Sequence, residues 1–242
     1  PRGARRRMTQ LALPLRLADH AVFSSFFARG NESLVATLTD VARGTADEHG
    51  CWLWGAPATG KTHLLQAACE AAGDHSVYVP LATFADAGPM ILDGLERRQL
   101  VCLDDIEVVA GDADWEAALF ALMNQVFDFG GQFVVAANTA PRETPIRLAD
   151  LASRLSRLPV FRVQALDEAE RVAALQLRAR HRGLDLPDET ANYLLRRSRR
   201  DMASLYELLD KLDLESLRAK RRLTVPFVRD VLALDERLAV PD

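Results

Sequence analysis

Lysine is almost missing from this sequence: of 30 basic residues, 27 are arginine and 3 are lysine. That imbalance, beside abundant alanine and leucine, looks like a coding bias, so an arginine cluster carries less functional meaning here than usual. Long apolar runs are missing too. None approaches the ~20 residues that a membrane-crossing helix requires. The Arg2, Arg5, Arg6 and Arg7 group is followed by Leu11, Leu13, Leu15 and Leu17, but Pro14 and Arg16 interrupt the continuous apolar core that a secretion signal needs. Cysteine is scarce. Cys51, Cys69 and Cys102 lie far apart in apolar stretches without metal-ligand spacing, which points to core thiols in a reducing, cytoplasmic setting. The net charge of −4 argues against a surface that grips nucleic acid phosphates throughout.

What is present is an ordinary globular balance, 49% hydrophobic and 26% charged. Apolar runs at 51–54, 76–80, 100–104, 132–137 and 160–163 alternate with helical patterns at 61–72, 89–97, 115–129 and 149–158. That alternation predicts βαβ units around a parallel five-stranded sheet. After Leu166 the strand-like runs stop, and helices are predicted over 168–182, 188–198, 202–220 and 226–234, with 235–242 as a frayed end. Asp167 and Asp188 are the expected caps and Gly183 the expected stop. The reading is an α/β domain over 20–165, a helical domain over 166–242, and an extension over 1–19.

Gly55-Ala56-Pro57-Ala58-Thr59-Gly60-Lys61-Thr62 matches the phosphate-loop pattern, between an apolar strand and a helix. Glycines let backbone N–H groups converge on phosphate oxygens; Lys61 adds a point charge and Thr62 a hydroxyl for Mg²⁺. Leu100-Val101-Cys102-Leu103 runs into Asp104 and Asp105, the acidic strand end that such a site needs. Asp104 is expected to hold the metal and Asp105 to polarise an attacking water. A shorter base than the more usual Glu predicts slow hydrolysis. Asn138 closes the next apolar run, where its amide can reach between the carboxylates and the γ-phosphate.

These motifs, in this order and ahead of a helical lid, resemble the AAA+ proteins. Leu103-Asp104-Asp105-Ile106 and Leu151-Ala152-Ser153-Arg154-Leu155 are similar to the second nucleotide motif and the arginine-finger segment of the DnaA family and its shorter Hda branch. Leu175-Gln176-Leu177-Arg178-Ala179-Arg180 and Thr224-Val225-Pro226-Phe227-Val228 resemble the Hda lid. The resemblance runs from about Gln10 to Leu234 and sets the end of this sequence at the end of the lid, before the helix-turn-helix domain that DnaA adds. It implies bound ADP or ATP with Mg²⁺, held by Gly55, Gly60, Lys61, Thr62, His63 and Asn138, with Thr62 and Asp104 at the metal. It also implies that Arg154 acts in trans on ATP bound to DnaA. Gln10, Leu11, Leu13 and Leu15, in Gln10-Leu11-Ala12-Leu13-Pro14-Leu15, are similar to the sliding-clamp-binding motif ahead of such a domain.

The implied function is regulatory: with the DNA-loaded clamp, the protein stimulates hydrolysis of DnaA-bound ATP and prevents re-initiation of replication. DNA is then contacted mainly through the clamp, and a homodimer fits the family. The competing reading is an ATPase acting directly on DNA or loading a helicase. A small-molecule kinase would leave Arg154 unexplained. The resemblance also places Ala203 where the lid of this family usually carries a nucleotide-sensing arginine, with Arg199 and Arg200 just upstream. That predicts weak or no intrinsic ATPase. Met8 is the expected translation start, which would make the arginines before it incidental.

Overall fold

The computed structural model describes residues 21–197 and 202–238. Gln10, Leu11, Leu13 and Leu15, together with Arg199 and Arg200, lie outside the described residues.

A single parallel sheet organises the first part. The strands are β1 (Gly50–Trp54), β2 (Ser76–Pro80), β3 (Leu100–Asp104), β4 (Gln132–Ala137) and β5 (Val160–Arg162), in spatial order β2-β3-β4-β1-β5. Every pairing is parallel, with Cys51 opposite Val134 and Val101 opposite Phe133. Alternate side chains leave opposite faces of each strand. Trp52, Val101, Leu103, Phe133 and Val135 enter one core, whereas Cys51, Leu53, Cys102, Val134 and Ala136 enter another. Burying both faces is why these strands read as unbroken apolar runs.

Helices α1 (Glu32–Arg43) and α2 (Lys61–Ala72) cover the second face through Leu34, Leu38, Leu64 and Leu65. After the short α3 (Leu81–Phe84), α4 (Ala113–Asp128) and α5 (Ala149–Leu155) cover the first face. Asp112 caps α4 by accepting from the N–H groups of Asp114 and Trp115 at 3.0 and 3.1 Å, an arrangement worth about 1 kcal/mol. The helical part comprises α6 (Glu168–His181), α7 (Asp188–Arg197), α8 (Met202–Ala219) and α9 (Val225–Leu238), packed around Leu175, Leu194, Leu205, Leu209 and Val228. The fold is therefore α/β with a parallel five-stranded sheet, followed by a helical lid.

Several expectations are corrected. The helix predicted over 89–97 is only a 3-10 turn, Pro89–Leu92, because Gly94 at φ +85° breaks any continuation. The helix predicted over 149–158 stops at Leu155, and α9 continues to Leu238 through part of the predicted frayed end. The α1 helix lies in a segment for which the pattern suggested nothing. Asp167 caps α6, exchanging hydrogen bonds with Glu170 in a reciprocal box, and Gly183 at φ +73° follows its end. Asp188, the other expected cap, is the first residue of α7, and its carboxylate accepts from the Gln176 amide at 2.6 Å. The three cysteines are buried free thiols, and burial pushes the Cys51 thiol up to about 12.

Candidate phosphate site under the helical lid

The loop between β1 and α2 brings Gly55, Gly60, Lys61 and Thr62 together at the carboxyl end of the sheet, as their pattern predicts. Gly60 takes φ +99°, and a Cβ there would meet the Phe26 ring at 2.8 Å. Only glycine accepts both the backbone conformation and the close approach.

Lys61 is 6% exposed, an unusual burial for a lysine. Its ammonium donates to Gly55 O at 2.8 Å, Ala56 O at 3.1 Å and Asn138 Oδ1 at 3.1 Å. Burial lowers its pKa, opposed by the charges of Asp104, Glu107 and Asp105. Asn138 therefore reaches the phosphate loop from the end of β4, across the sheet.

Asp104, at the end of β3, is 1% exposed. Its Oδ2 accepts from the Thr62 hydroxyl at 2.6 Å and from the Tyr78 hydroxyl at 2.9 Å. Its Oδ1 is buried without a hydrogen-bond partner. Asp105 follows in a left-handed conformation at φ +57°, which Asp tolerates better than most side chains. Desolvation, then the neighbouring charges of Asp104 and Glu107, raise its pKa.

Glu107 is a third carboxylate that the motif reading overlooked. Its Oε1 accepts from the Asn138 side-chain amide and, at 3.1 Å, from the Asn138 backbone N–H. The relay Lys61–Asn138–Glu107 thus holds the β4 end in a single orientation.

Above the loop lies a cleft of ≈ 380 Å³ whose walls include Phe26, Phe27, Ala165, Leu166, Arg171 and Tyr206. An adjoining cavity is lined by Lys61, Thr62, Asp105, Asn138 and Ala203. Ala203 therefore stands beside the phosphate loop. His63 lines both cavities, but its ring is engaged elsewhere. Nε2 donates to Val22 O at 3.1 Å and lies 3.4 Å from the Ser25 hydroxyl. Burial drives its pKa down to about 4, with the Arg178 charge acting the same way against the Val22 hydrogen bond. In this structure His63 anchors the segment before α1 to α2.

Arg154 does not line either cavity. It is exposed on α5, its guanidinium 5.6 Å from the centre of the Phe120 ring. Among the described residues Asp150 and Arg154 form no ion pair.

Tyr78, Glu107, Phe26 and Phe27 were missed in the sequence. Glu107 offered a faint signal, lying just past the paired aspartates. The Phe26-Phe27 pair reads as anonymous hydrophobic sequence until the chain folds back over the phosphate loop.

Residues 167–232 match the family model of the Hda lid domain. The helical part is therefore similar to an Hda lid. Domain III of the DnaA replication initiation protein from Thermotoga maritima superposes with a TM-score of 0.73 at 18% identity, covering 89% of this chain and 97% of that one. AMPPCP-bound DnaA from Aquifex aeolicus gives 0.60 at 21% identity, over 80% of this chain and 65% of that one. The Holliday junction branch migration motor RuvB of Thermotoga maritima gives 0.59 at 19% identity, over 85% and 68% respectively. At these identities the solved structures establish the AAA+ architecture, while the lid match supplies the Hda likeness.

Proposed function

We propose that this AAA+ protein is a regulator of replication initiation that, together with the DNA-loaded sliding clamp, stimulates hydrolysis of ATP bound to DnaA. The observation that carries the reading is the pairing of an Hda-type lid with an arginine displayed away from the chain's own cleft. An arginine in that position is available to a neighbouring subunit. There it can stabilise charge developing on a transferring phosphoryl group, a contribution of about 10³–10⁵ in rate.

The chain's own site holds ADP or ATP in this reading. The AMPPCP bound to Aquifex aeolicus DnaA supports it, as does the concave cleft with apolar walls over the phosphate loop. Gly55, Gly60, Lys61, Thr62 and Asn138 would face the phosphates, with Phe26, Phe27 and Tyr206 nearer the base. The Thr62 hydroxyl and Asp104, with its unpartnered buried Oδ1, are hard oxygen donors suited to Mg²⁺. The ion would neutralise phosphate charge. Asp105 is the candidate base, and Ala203 in the lid leaves the intrinsic ATPase weak. Division into an extension (1–19), a nucleotide-binding domain (20–165) and a lid (166–242) follows from the same reading.

Gln10, Leu11, Leu13 and Leu15 are the segment proposed to engage the clamp, and through it DNA. A pull-down against the sliding clamp tests this directly. Wild-type protein should be retained and a Gln10→Ala/Leu13→Ala variant lost. Failure of the wild type to bind would instead favour a protein acting directly on DNA.

A further inference from the structure

Glu116 is buried to 2% exposure on α4, and among the described residues its carboxylate forms no salt bridge, although the Arg147 charge acts on it. Backbone N–H groups from two loops converge on it instead. Oε1 accepts from Gly111 at 2.7 Å and Arg147 at 3.0 Å, and Oε2 accepts from Arg147 at 3.1 Å and Leu148 at 2.7 Å. Arg147 and Leu148 immediately precede α5, and Leu148 is its N-terminal cap. The α5 helix is only 7 residues long and has no side-chain cap of its own. So short a helix cannot hold its direction by its own hydrogen bonds. Its entry is set by a carboxylate borrowed from α4.

One turn further along α4, at the i+4 position, stands Phe120, whose ring faces the Arg154 guanidinium at 5.6 Å. The same stripe of α4 therefore touches α5 at both ends, first at its N-terminal backbone and then at its penultimate side chain. The adjoining side of α4 is anchored by Trp115, Leu119 and Met123, all buried in the main core. Leu151 and Leu155 seat α5 against the same core and leave Arg154 outward.

We infer that Glu116 and Phe120 are positioning residues for Arg154: Glu116 sets the direction of α5, and Phe120 holds the guanidinium in its presenting orientation. A simply packed helix would need neither a buried carboxylate accepting from both loops nor an aromatic ring under an exposed arginine. The inference rests on the reading of Arg154 as a residue acting on a partner's nucleotide.

The test combines a measurement on the chain alone with one on the assembly. In the chain alone, NMR of isotope-labelled arginine should show the Arg154 side-chain protons displaced by the Phe120 ring current. Phe120→Leu should abolish that displacement and Phe120→Tyr preserve it. Glu116→Gln should increase amide exchange at Arg147 and Leu148. In the clamp-dependent assay, Phe120→Leu and Glu116→Gln should lower maximal stimulation of DnaA ATP hydrolysis by about 10- to 100-fold, the scale of a misplaced catalytic group. Phe120→Tyr should stay near wild type, and ADP binding by every variant should be unchanged. Full stimulation by Phe120→Leu where Arg154→Ala has none, or an unaltered Arg154 spectrum in Phe120→Leu, would overturn the inference. Full stimulation by Arg154→Ala would instead remove the reading beneath it, whatever the spectra show.

Discussion

The Thr62 hydroxyl donates to Asp104 Oδ2 over 2.6 Å, joining the first turn of α2 to the end of β3. Tyr78 donates to the same oxygen at 2.9 Å, so two hydroxyls occupy one oxygen of the carboxylate and leave Oδ1 buried without a partner. A buried carboxylate oxygen without a hydrogen bond is costly unless it serves a ligand. Asp104→Asn should therefore abolish the gain in nucleotide affinity that Mg²⁺ confers on the wild type. Calorimetric titration of ADP with and without Mg²⁺ checks this, and an undiminished Mg²⁺ effect in the variant would remove Asp104 from the metal site.

Lys61 is desolvated and bridged to Asn138. Lys61→Ala removes the site's point charge and should weaken ADP binding by roughly 10- to 100-fold, the range for losing a charged hydrogen bond. Asn138→Ala should cost less for ADP, because its amide is aimed between Lys61 and Glu107. Fluorescent nucleotide titrations of the two variants should rank them in that order.

Phe26 closes over Gly60 and lies 5.7 Å from the His63 ring. Replacing it by Ala opens the wall of the cleft and removes an aromatic surface of the kind that bases stack on. A loss of roughly 10-fold in ADP affinity is expected, within the range for one aromatic–base contact. Equal affinity in Phe26→Ala would place the base elsewhere.

His63 gives the fold a pH dependence. Its folded pKa of about 4 lies below the ordinary 6.5, so between those values the unfolded chain binds more protons than the folded one. The contribution is complete above pH 6.5, declines as pH falls towards 4, and is at most about 3 kcal/mol. Urea unfolding at pH 7 and pH 5 should show a larger loss of stability for the wild type than for His63→Gln. Identical losses would mean that His63 is not held neutral against Val22.

Much of this was legible in the sequence because strong local signals coincided with tertiary need. Strands β3 and β4 lie where the apolar runs predicted, since they are buried along their whole length, and the half-buried edge strand β2 also keeps its predicted bounds. Gly60, Lys61, Thr62, Asp104 and Asn138 converge because the parallel topology brings the ends of β1, β3 and β4 to one edge. The His63 ring is turned towards Val22 by a segment remote in sequence, which no local pattern reveals. Glu116 looks like any polar residue of an amphipathic helix until the Gly111 and Arg147 loops fold onto it. The predicted helix over 89–97 failed because Gly94 adopts a left-handed conformation within an otherwise acceptable helical pattern.

The most direct test of the account is the rate of DnaA-ATP hydrolysis on DNA-loaded sliding clamp with wild-type protein and with Arg154→Ala. The account predicts that Arg154→Ala binds ADP and the clamp like the wild type, while stimulation of DnaA-ATP hydrolysis falls by about 10³-fold or more, to background. Undiminished stimulation by that variant would contradict it.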